Sequence, residues 1–303
     1  SRRSIMTPER RRTLAVIAAA AAGGAAFLFI GEASSEPTAE RIVVAGGDLT
    51  EIVFALGLGD RVVGVDQTST WPPEATSRSQ IGYVRRVSPE GILSLAPDLV
   101  LVAHDAGPDI AFEQLEAAGV RVARAPEAET AAQIAEKIAF VGSSLGRAAE
   151  AEQMARQMSE ALNEIRAKVA TLEGRPPRVL FILSFQSGAP LIGGTETTAD
   201  RMITLAGGEN AGASVSGYKP MSREAIIAAA PDIVLMMSQH AERFGGIETI
   251  FARPEIALTP AGQAGRAVVM DGMLLLGFGP RTPEAIAELA RALHAERAVA
   301  AGL

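Results

Sequence analysis

The fold is decided by the stretch Arg41–Asp66, RIVVAGGDLTEIVFALGLGDRVVGVD. Its first residues, Arg41–Ala45, predict a buried strand because four apolar residues follow Arg41, and a Gly-Gly turn comes next. The spacing in Asp48–Leu56 predicts a helix that Asp48 can cap and that stops at the next glycine. Arg61–Val65 predicts a second strand. A strand, a helix and a strand in this order predict an α/β lobe with a parallel sheet.

An internal repeat indicates a second unit of the same kind. Ser88–Leu101 reads SPEGILSLAPDLVL, and Ser222–Leu235 reads SREAIIAAAPDIVL at a constant offset. Each copy has a serine able to cap a helix, about two turns of apolar helix, a Pro-Asp break and an apolar strand. A further strand at Arg178–Ser184 and a helix at Thr198–Leu205 accompany the second copy. The repeat is too long for a solenoid unit and predicts two lobes of similar construction.

A long helical segment separates the two copies. The pattern predicts helix within Glu129–Leu172, with a break near Gly142 and Gly146. Beyond the break, apolar residues three or four apart give one face of a helix of about seven turns. The predicted fold class is therefore α/β, with two lobes of mainly parallel sheet joined by a long rigid helix that allows only small closing motions. The predicted divisions are an N-terminal lobe at 38–146, a connecting helix at 147–173 and a C-terminal lobe at 174–303.

Composition excludes several classes of function. The 303 residues are 48% apolar and 21% charged, which is ordinary for a globular protein. Aromatic residues make up 4% and the formal net charge is −7, so nucleic-acid binding is not expected. Because there is no cysteine, disulfides, thiolate metal sites, cysteine nucleophiles and ordinary iron–sulfur ligation are excluded. Three scattered histidines argue against a zinc or manganese site that gathers several imidazoles.

The N-terminal segment has the pattern of an export signal. Arg10–Arg12 precede an alanine-rich apolar run, Leu14–Ile30, and then a polar stretch. We expect residues 1–33 to be a signal peptide cleaved near Ala33, which leaves an acidic protein in the periplasm. An uncleaved membrane anchor is the rival interpretation on grounds of length. Sec and twin-arginine export both stay open, and no lipid anchor is expected because the chain has no cysteine.

Five segments of the chain carry a resemblance to a known family. They are Arg41–Asp66, Ile81–Arg85 (IGYVR), Glu90–Leu93 (EGIL), Leu258–Gly262 (LTPAG) and Leu274–Gly279 (LLLGFG). Together they resemble the periplasmic haem-binding proteins of bacterial haem-uptake ABC transporters, and the similarity spans nearly all of residues 40–298. The lobe pattern alone also fits cobalamin and ferric-siderophore binders of the same superfamily, the class III periplasmic binding proteins with a helical backbone. The Gly-Tyr-x-Arg element is what favours haem.

This resemblance implies a transport function. The protein is expected to bind haem b as its cargo in the cleft between the lobes. It is then expected to deliver the haem to an inner-membrane ABC permease dimer with its ATPase. It is expected to act as a soluble monomer and to catalyse no reaction.

Tyr83 is the expected ligand of the haem iron. Ferric iron is a hard acid, for which a phenolate oxygen is a suitable axial ligand. A free phenol has a pKa of about 10, so ligation at neutral pH needs groups that favour the anion. The iron supplies the larger effect. Arg85, two residues on in a predicted extended segment, points to the same side and can donate a hydrogen bond. The alternative for Tyr83 is a partly buried ring whose hydroxyl is bonded to a neighbour.

Further candidates flank the cleft. Tyr218 and Lys219 precede the second repeated helix, where Lys219 can meet a propionate and Tyr218 can lie against the porphyrin; a surface loop is the alternative. Arg86 is a candidate propionate contact or a solvated side chain. His104 and His240 each follow a repeated strand, which predicts loops that rim the cleft or belong to the polar surface.

One departure from the family pattern concerns the second half of the chain. Some relatives carry a histidine just after the strand equivalent to Arg178–Ser184, where it can serve as a second iron ligand. Here Phe185-Gln186 occupies that place. A second protein ligand from this loop, or stacked binding of two haems, is therefore not implied.

Glu90 and Glu224 have a separate expected role. Each lies near the first turn of its repeated helix, where the helix dipole stabilises a carboxylate by about 0.3–1 kcal/mol. In the resembling family, glutamates at these positions dock the two lobes onto arginines of the permease. A matched pair, one in each lobe, suits a two-fold partner, so permease docking is the preferred interpretation.

An enzyme is the competing class of function. Gly142–Gly146, GSSLG, matches the letters of a hydrolase nucleophile elbow with Ser144 as the nucleophile. It follows a helical pattern rather than a strand, so a break between two helices is predicted instead. The Gly-Gly turns at 46–47, 193–194 and 207–208 lack both the P-loop lysine and the dinucleotide-binding spacing. The sequence contains no convincing catalytic set.

Overall fold

The computed structural model describes residues 39–303 except Ser187. The predicted signal peptide at residues 1–33 and its cleavage site near Ala33 lie outside the described residues. Within the described range, no helix combines the length and the apolar character needed to cross a membrane.

Strands and helices alternate along most of the chain. The strands are β1 (Ile42–Ala45), β2 (Val62–Val65), β3 (Ser79–Gln80), β4 (Gly82–Tyr83), β5 (Arg86–Val87), β6 (Leu99–Val102), β7 (Arg121–Arg124), β8 (Arg178–Gln186), β9 (Ala189–Gly193), β10 (Glu209–Asn210), β11 (Tyr218–Pro220), β12 (Ile233–Met237) and β13 (Ala267–Met270). The α-helices are α1 (Gly47–Ala55), α2 (Pro89–Leu93), α3 (Asp109–Ala117), α4 (Ala131–Ser144), α5 (Ala148–Ala170), α6 (Thr198–Leu205), α7 (Arg223–Ala229), α8 (Ser238–Arg243), α9 (Ile247–Phe251), α10 (Pro254–Ala257), α11 (Pro260–Ala264), α12 (Gly272–Leu276), α13 (Thr282–His294) and α14 (Glu296–Ala300).

The first sheet is entirely parallel, as the opening stretch predicts. Its strand order is β3-β2-β1-β6-β7. Every residue of β1 and β6 is buried, which explains why both strands are continuous apolar runs. The predicted cap of α1 is wrong: Gly46 occupies the N-cap with a φ of 148°, and no side chain caps the helix. The Asp48 carboxylate instead forms an ion pair with Lys137 on α4.

The second sheet is also mainly parallel, but it contains one antiparallel strand, β9. Its order is β11-β9-β8-β12-β13, with β10 also beside β8. β8, β10, β12 and β13 pair in parallel, whereas β9 pairs antiparallel with both β8 and β11. β9 is not among the predicted strands. It follows β8 through a tight turn in which Gly188 has a φ of 86°. A hairpin of this kind needs no helical crossover, so helix–strand alternation does not reveal it.

The internal repeat is present in three dimensions. Ser88 and Ser222 are the N-caps of α2 and α7, and each hydroxyl accepts a bond from the backbone N–H three residues on. Ala96 and Ala230, at matching places, share left-handed φ values of 46° and 44°.

The aspartate of each Pro-Asp break ties the break to a central strand. Asp98 Oδ2 accepts hydrogen bonds from the N–H groups of Glu40 and Arg41, and Asp232 Oδ2 accepts one from the N–H of Arg178. The break is therefore a tether that sets where β1 and β8 begin.

Two packed helices connect the sheets. α4 begins with a capping box between Thr130 and Gln133 and packs against α5. A Cβ atom on Gly142 would lie 2.1 Å from the Cβ of Ala151, so the close approach of the two helices requires glycine. Ser144 is the last residue of α4 and donates its hydroxyl to the Phe140 carbonyl at 2.9 Å. The predicted helix–helix break is confirmed.

The buried core runs on from one sheet to the other. It includes Val43 and Leu101 of the first sheet, Ile138 of α4, Leu162 of α5 and Phe181 of β8. Because the core does not stop at either end of α5, the predicted lobe boundaries at 146 and 173 stay predictions.

His294, at the end of α13, is expected to make the fold sensitive to acid. The ring is 5% exposed, and burial lowers the pKa of its imidazole below 6.5, although Nε2 bonds to the Ala206 carbonyl. The folded chain favours the neutral ring. The contribution of His294 to the free energy of unfolding is therefore complete above the pKa of histidine in the unfolded chain. It is lost as the pH falls towards the pKa of His294 in the folded chain.

Denaturant unfolding between about pH 7 and pH 5 tests this assignment, because unfolded histidine titrates near pH 6.5. The stability of His294→Gln should fall less steeply than that of the wild type over this range. His104→Gln is the matched control, since that side chain is 45% exposed. If the free energy of unfolding fell equally steeply with pH for the wild type and His294→Gln, the assignment would be contradicted.

Candidate functional site

Tyr83 lies in a tight hairpin. β4 and β5 pair antiparallel, with Tyr83 opposite Arg86, so Val84 and Arg85 form the turn. The predicted extended segment is therefore wrong, because the chain reverses within two residues and Gly82 accommodates the approach with a φ of 99°. The predicted hydrogen bond is nevertheless present, with Arg85 Nη1 donating to Tyr83 Oη at 2.9 Å. The phenol ring is 40% exposed, which makes it one of the exposed large side chains of the described region.

Backbone hydrogen bonds fix this hairpin to the loops at the carboxyl ends of β2 and β6. The N–H of Gln67, after β2, donates to the Gly82 carbonyl at 2.9 Å. The N–H of Gly107, after β6, donates to the Val84 carbonyl at 3.0 Å, and the N–H of Val87 returns a bond to the Gly107 carbonyl at 3.1 Å. The hairpin is thus held at the edge of the sheet where ligands of open α/β folds bind.

Arg85 is shared between a phenol and a carboxylate. Its second nitrogen, Nη2, forms an ion pair and hydrogen bond with Asp105 on the loop after β6. Partial burial disfavours the charged guanidinium, but the negative charge and hydrogen bond of Asp105, together with Tyr83, outweigh it and raise the pKa of Arg85. Arg85 therefore presents a permanent positive charge to the Tyr83 oxygen.

Of the other first-lobe candidates, His104 lies beside this cluster and Arg86 lies opposite Tyr83 on the paired strand. His104 is on a loop, as predicted, with Nε2 3.5 Å from a Glu127 oxygen and Nδ1 4.0 Å from an Asp105 oxygen. Arg86 is exposed on β5.

The second-lobe candidates lie on an edge strand rather than in a loop. Tyr218 and Lys219 belong to β11, which is paired with β9 and is exposed along its length. The Tyr218 hydroxyl is 3.0 Å from the Thr198 hydroxyl, and its ring meets Phe181 edge-on with centroids 6.4 Å apart. These contacts fix the ring while leaving it 37% exposed.

The predicted loop position of His240 is wrong. His240 lies in α8, which begins directly after β12, and its Nδ1 bonds to the Leu183 carbonyl of β8. That bond ties α8 to the neighbouring strand. Phe185, near the end of β8, packs edge-on against Phe244 at 4.9 Å and lies 4.0 Å from the Arg253 guanidinium.

Glu90 and Glu224 occupy matching exposed places. Each lies in the first turn of its serine-capped helix. The Ser88 hydroxyl donates to the Glu90 carboxylate at 3.1 Å.

Sequence reasoning missed a set of side chains that links the first part of the chain to the start of α13. Arg281, just before α13, forms an ion pair with the buried Glu51 of α1 and stacks its guanidinium 4.4 Å from the centre of the Trp71 ring. Burial raises the pKa of Glu51 against the opposing effect of Arg281, and the nearby carboxylates of Asp48 and Asp271 raise it further. The sequence signal for Arg281 was its place in Gly279-Pro-Arg281, directly before a helix. This tripeptide carries no periodic pattern that would mark Arg281 as part of a buried pair.

Comparison with known proteins gives the class of this chain. Residues 42–274 match the family described as periplasmic binding protein, and the chain belongs to that family. Members are binding components of transport systems rather than enzymes. An uncharacterized ABC transporter substrate-binding lipoprotein of Bacillus subtilis is 30% identical over 81% of this chain and 77% of its own length. A cobalamin-binding protein of Halobacterium salinarum is 29% identical over 86% of this chain and 70% of its own length.

The solved structures that match are more specific. The periplasmic haem-binding protein RhuT of Roseiflexus sp. RS-1, without ligand, is 40% identical, with a TM-score of 0.81 over 86% of this chain and 99% of that one. The periplasmic haem-binding protein BhuT in complex with two haems is 39% identical, with a TM-score of 0.79 over 84% of this chain and 97% of that one.

Removal of the Arg281 side chain should destabilise the fold strongly. Arg281→Ala leaves the Glu51 carboxylate buried without a partner, and we expect the free energy of unfolding at neutral pH to fall by about 3 kcal/mol. Arg291→Ala, on the exposed face of α13, is the matched control and should change stability by less than about 0.5 kcal/mol. Denaturant titrations of the two variants check this, and equal losses would contradict the role of the pair.

Proposed function

We propose that this protein binds haem b between its two lobes and delivers it to an inner-membrane ABC permease dimer with its ATPase. The observation that carries the proposal is the exposed phenol of Tyr83 with an arginine donating to its oxygen. A phenolate oxygen suits ferric iron, and a cationic donor favours the phenolate over the phenol. The two haem-binding structural neighbours, at 39–40% identity, support this cargo.

The surrounding candidates have supporting roles in this proposal. Arg85 stabilises the Tyr83 phenolate, and Tyr218 offers an aromatic face to the porphyrin. Arg86 and Lys219 are exposed cations suited to the two propionates. Residues 1–33 direct the chain to the periplasm, where it acts as a monomer.

The alternative cargo is cobalamin or a ferric siderophore. Curated relatives at 27–29% identity include proteins named for cobalamin or vitamin B12. Neither cargo needs an iron bond from Tyr83. Titration with cyanocobalamin and with a ferric siderophore therefore belongs beside the haem titration, and tight binding of either without haem binding would overturn the proposal.

Ligation by Tyr83 is tested by spectroscopy of the ferric haem complex. The wild type should show a high-spin tyrosinate charge-transfer band, and Tyr83→Phe should lose the band and more than about tenfold in affinity, since the iron loses its protein ligand. Quenching of Trp71, the only tryptophan, measures binding independently of ligation. Tyr218→Phe removes the only other tyrosine and should keep the band. If Tyr218→Phe lost the band and Tyr83→Phe kept it, the iron ligand would be Tyr218 and not Tyr83.

Docking is tested by charge reversal. Glu90→Arg and Glu224→Arg should each reduce haem-dependent ATP hydrolysis by the reconstituted permease, and the double variant should reduce it most, because each removes one attractive contact with a cationic surface. Haem binding should be unchanged in all three. Glu116→Arg and Glu242→Arg, exposed carboxylates elsewhere on the chain, are the matched controls. Loss of haem binding in the Glu90 or Glu224 variants would assign those residues to the pocket or the fold.

A further inference from the structure

We infer that Asp105 is a positioning residue for the haem ligand, acting on Tyr83 through Arg85. This inference rests on the proposed function of Tyr83. A single guanidinium joins the two groups: Nη1 donates to Tyr83 Oη at 2.9 Å, while Nη2 is bound by the Asp105 carboxylate. Asp105 is thus placed to set the direction in which Arg85 points its other nitrogen.

The exposure of Arg85 makes such a restraint necessary. Its side chain is 59% exposed, and it stands at the turn of a two-residue hairpin. A long cationic side chain in that position has many rotamers in water, and holding one of them costs conformational entropy. The Asp105 carboxylate, itself 31% exposed, removes that freedom before haem arrives. The donor to the phenolate is therefore already in place when the iron bond forms.

Asp105 is itself held by its loop. Arg124, at the end of β7, donates from Nη1 to the carbonyls of Ala103, His104 and Ala106 at 3.3, 3.0 and 3.0 Å. Its Nη2 donates to Asp109 at 2.8 Å. The same loop exchanges two backbone bonds with the Tyr83 hairpin through Gly107. Asp105 and Tyr83 therefore sit on two segments that are fixed to each other.

Positioning and simple charge predict opposite effects when the carboxylate is removed. If Asp105 acted only through its charge, its loss would leave the positive charge of Arg85 uncompensated. That charge would then stabilise the phenolate more strongly and tighten haem binding. If Asp105 holds Arg85 in place, its loss lets the guanidinium turn away and weakens the iron–phenolate bond. The sign of the change in haem release distinguishes the two.

The experiment measures ferric haem transfer from the protein to excess apomyoglobin, together with the tyrosinate charge-transfer band. All variants are compared at one fixed pH. Asp105→Ala should release haem about tenfold faster and shift the band, the size expected for a lost hydrogen bond to a charged group. Asp105→Asn keeps an oxygen that accepts from Arg85 and should recover most of the wild-type rate. Glu116→Ala, on the exposed face of α3, is the matched carboxylate control.

A double variant separates positioning from a general effect on the loop. Arg85→Ala should release haem at least as fast as Asp105→Ala, and the combination should be no faster than Arg85→Ala alone, because Asp105 acts through Arg85. Multiplying effects in the double variant, slower release from Asp105→Ala, or a wild-type rate and band would each overturn the inference. A wild type without a tyrosinate band would instead overturn the proposed function, and this inference with it.

Discussion

The buried carboxylate of Asp66 is the interaction on which the position of the candidate site depends. Its Oδ1 accepts from the N–H of Gly46 and the hydroxyl of Ser69, and its Oδ2 accepts from the N–H and hydroxyl of Thr68. One side chain thus joins the turn after β1 to the turn after β2. The adjacent Gln67 N–H holds the Tyr83 hairpin. A fully buried carboxylate satisfied by four donors is a rigid anchor, and it places the phenol relative to the sheet.

The local parts of the fold could be predicted from the sequence because their causes are local. Serine caps at Ser88 and Ser222, the ends of α6 at Thr198 and Leu205, and the break near Gly142 depend on residues within a few positions of each other. The matching Pro-Asp segments also revealed the repeat, although not the tethering of β1 and β8 by Asp98 and Asp232.

What the sequence could not reveal depends on residues far apart in the chain. Arg281 meets Glu51 across 230 positions, and the Lys137–Asp48 pair spans 89. No periodicity encodes such pairs, because each partner looks like an ordinary charged residue in its own segment. The hairpin was missed for a different reason: Tyr83-Val-Arg-Arg86 lacks the Asn-Gly or Asp-Gly signal of a two-residue turn. The predicted hydrogen bond from Arg85 to Tyr83 is present all the same, because a chain reversal also brings the two side chains together.

The matched exposed glutamates of α2 and α7 have a consequence for the strength of the proposed docking. An exposed ion pair is worth at most about 1 kcal/mol, too little to retain a partner alone. Two such contacts on one covalent chain are multivalent: once the first forms, the second proceeds at a high effective concentration. Avidity of this kind makes the proposed docking selective for a two-fold surface. The complex can still dissociate by breaking one weak contact at a time, which suits a binding protein that must leave after it has delivered its ligand.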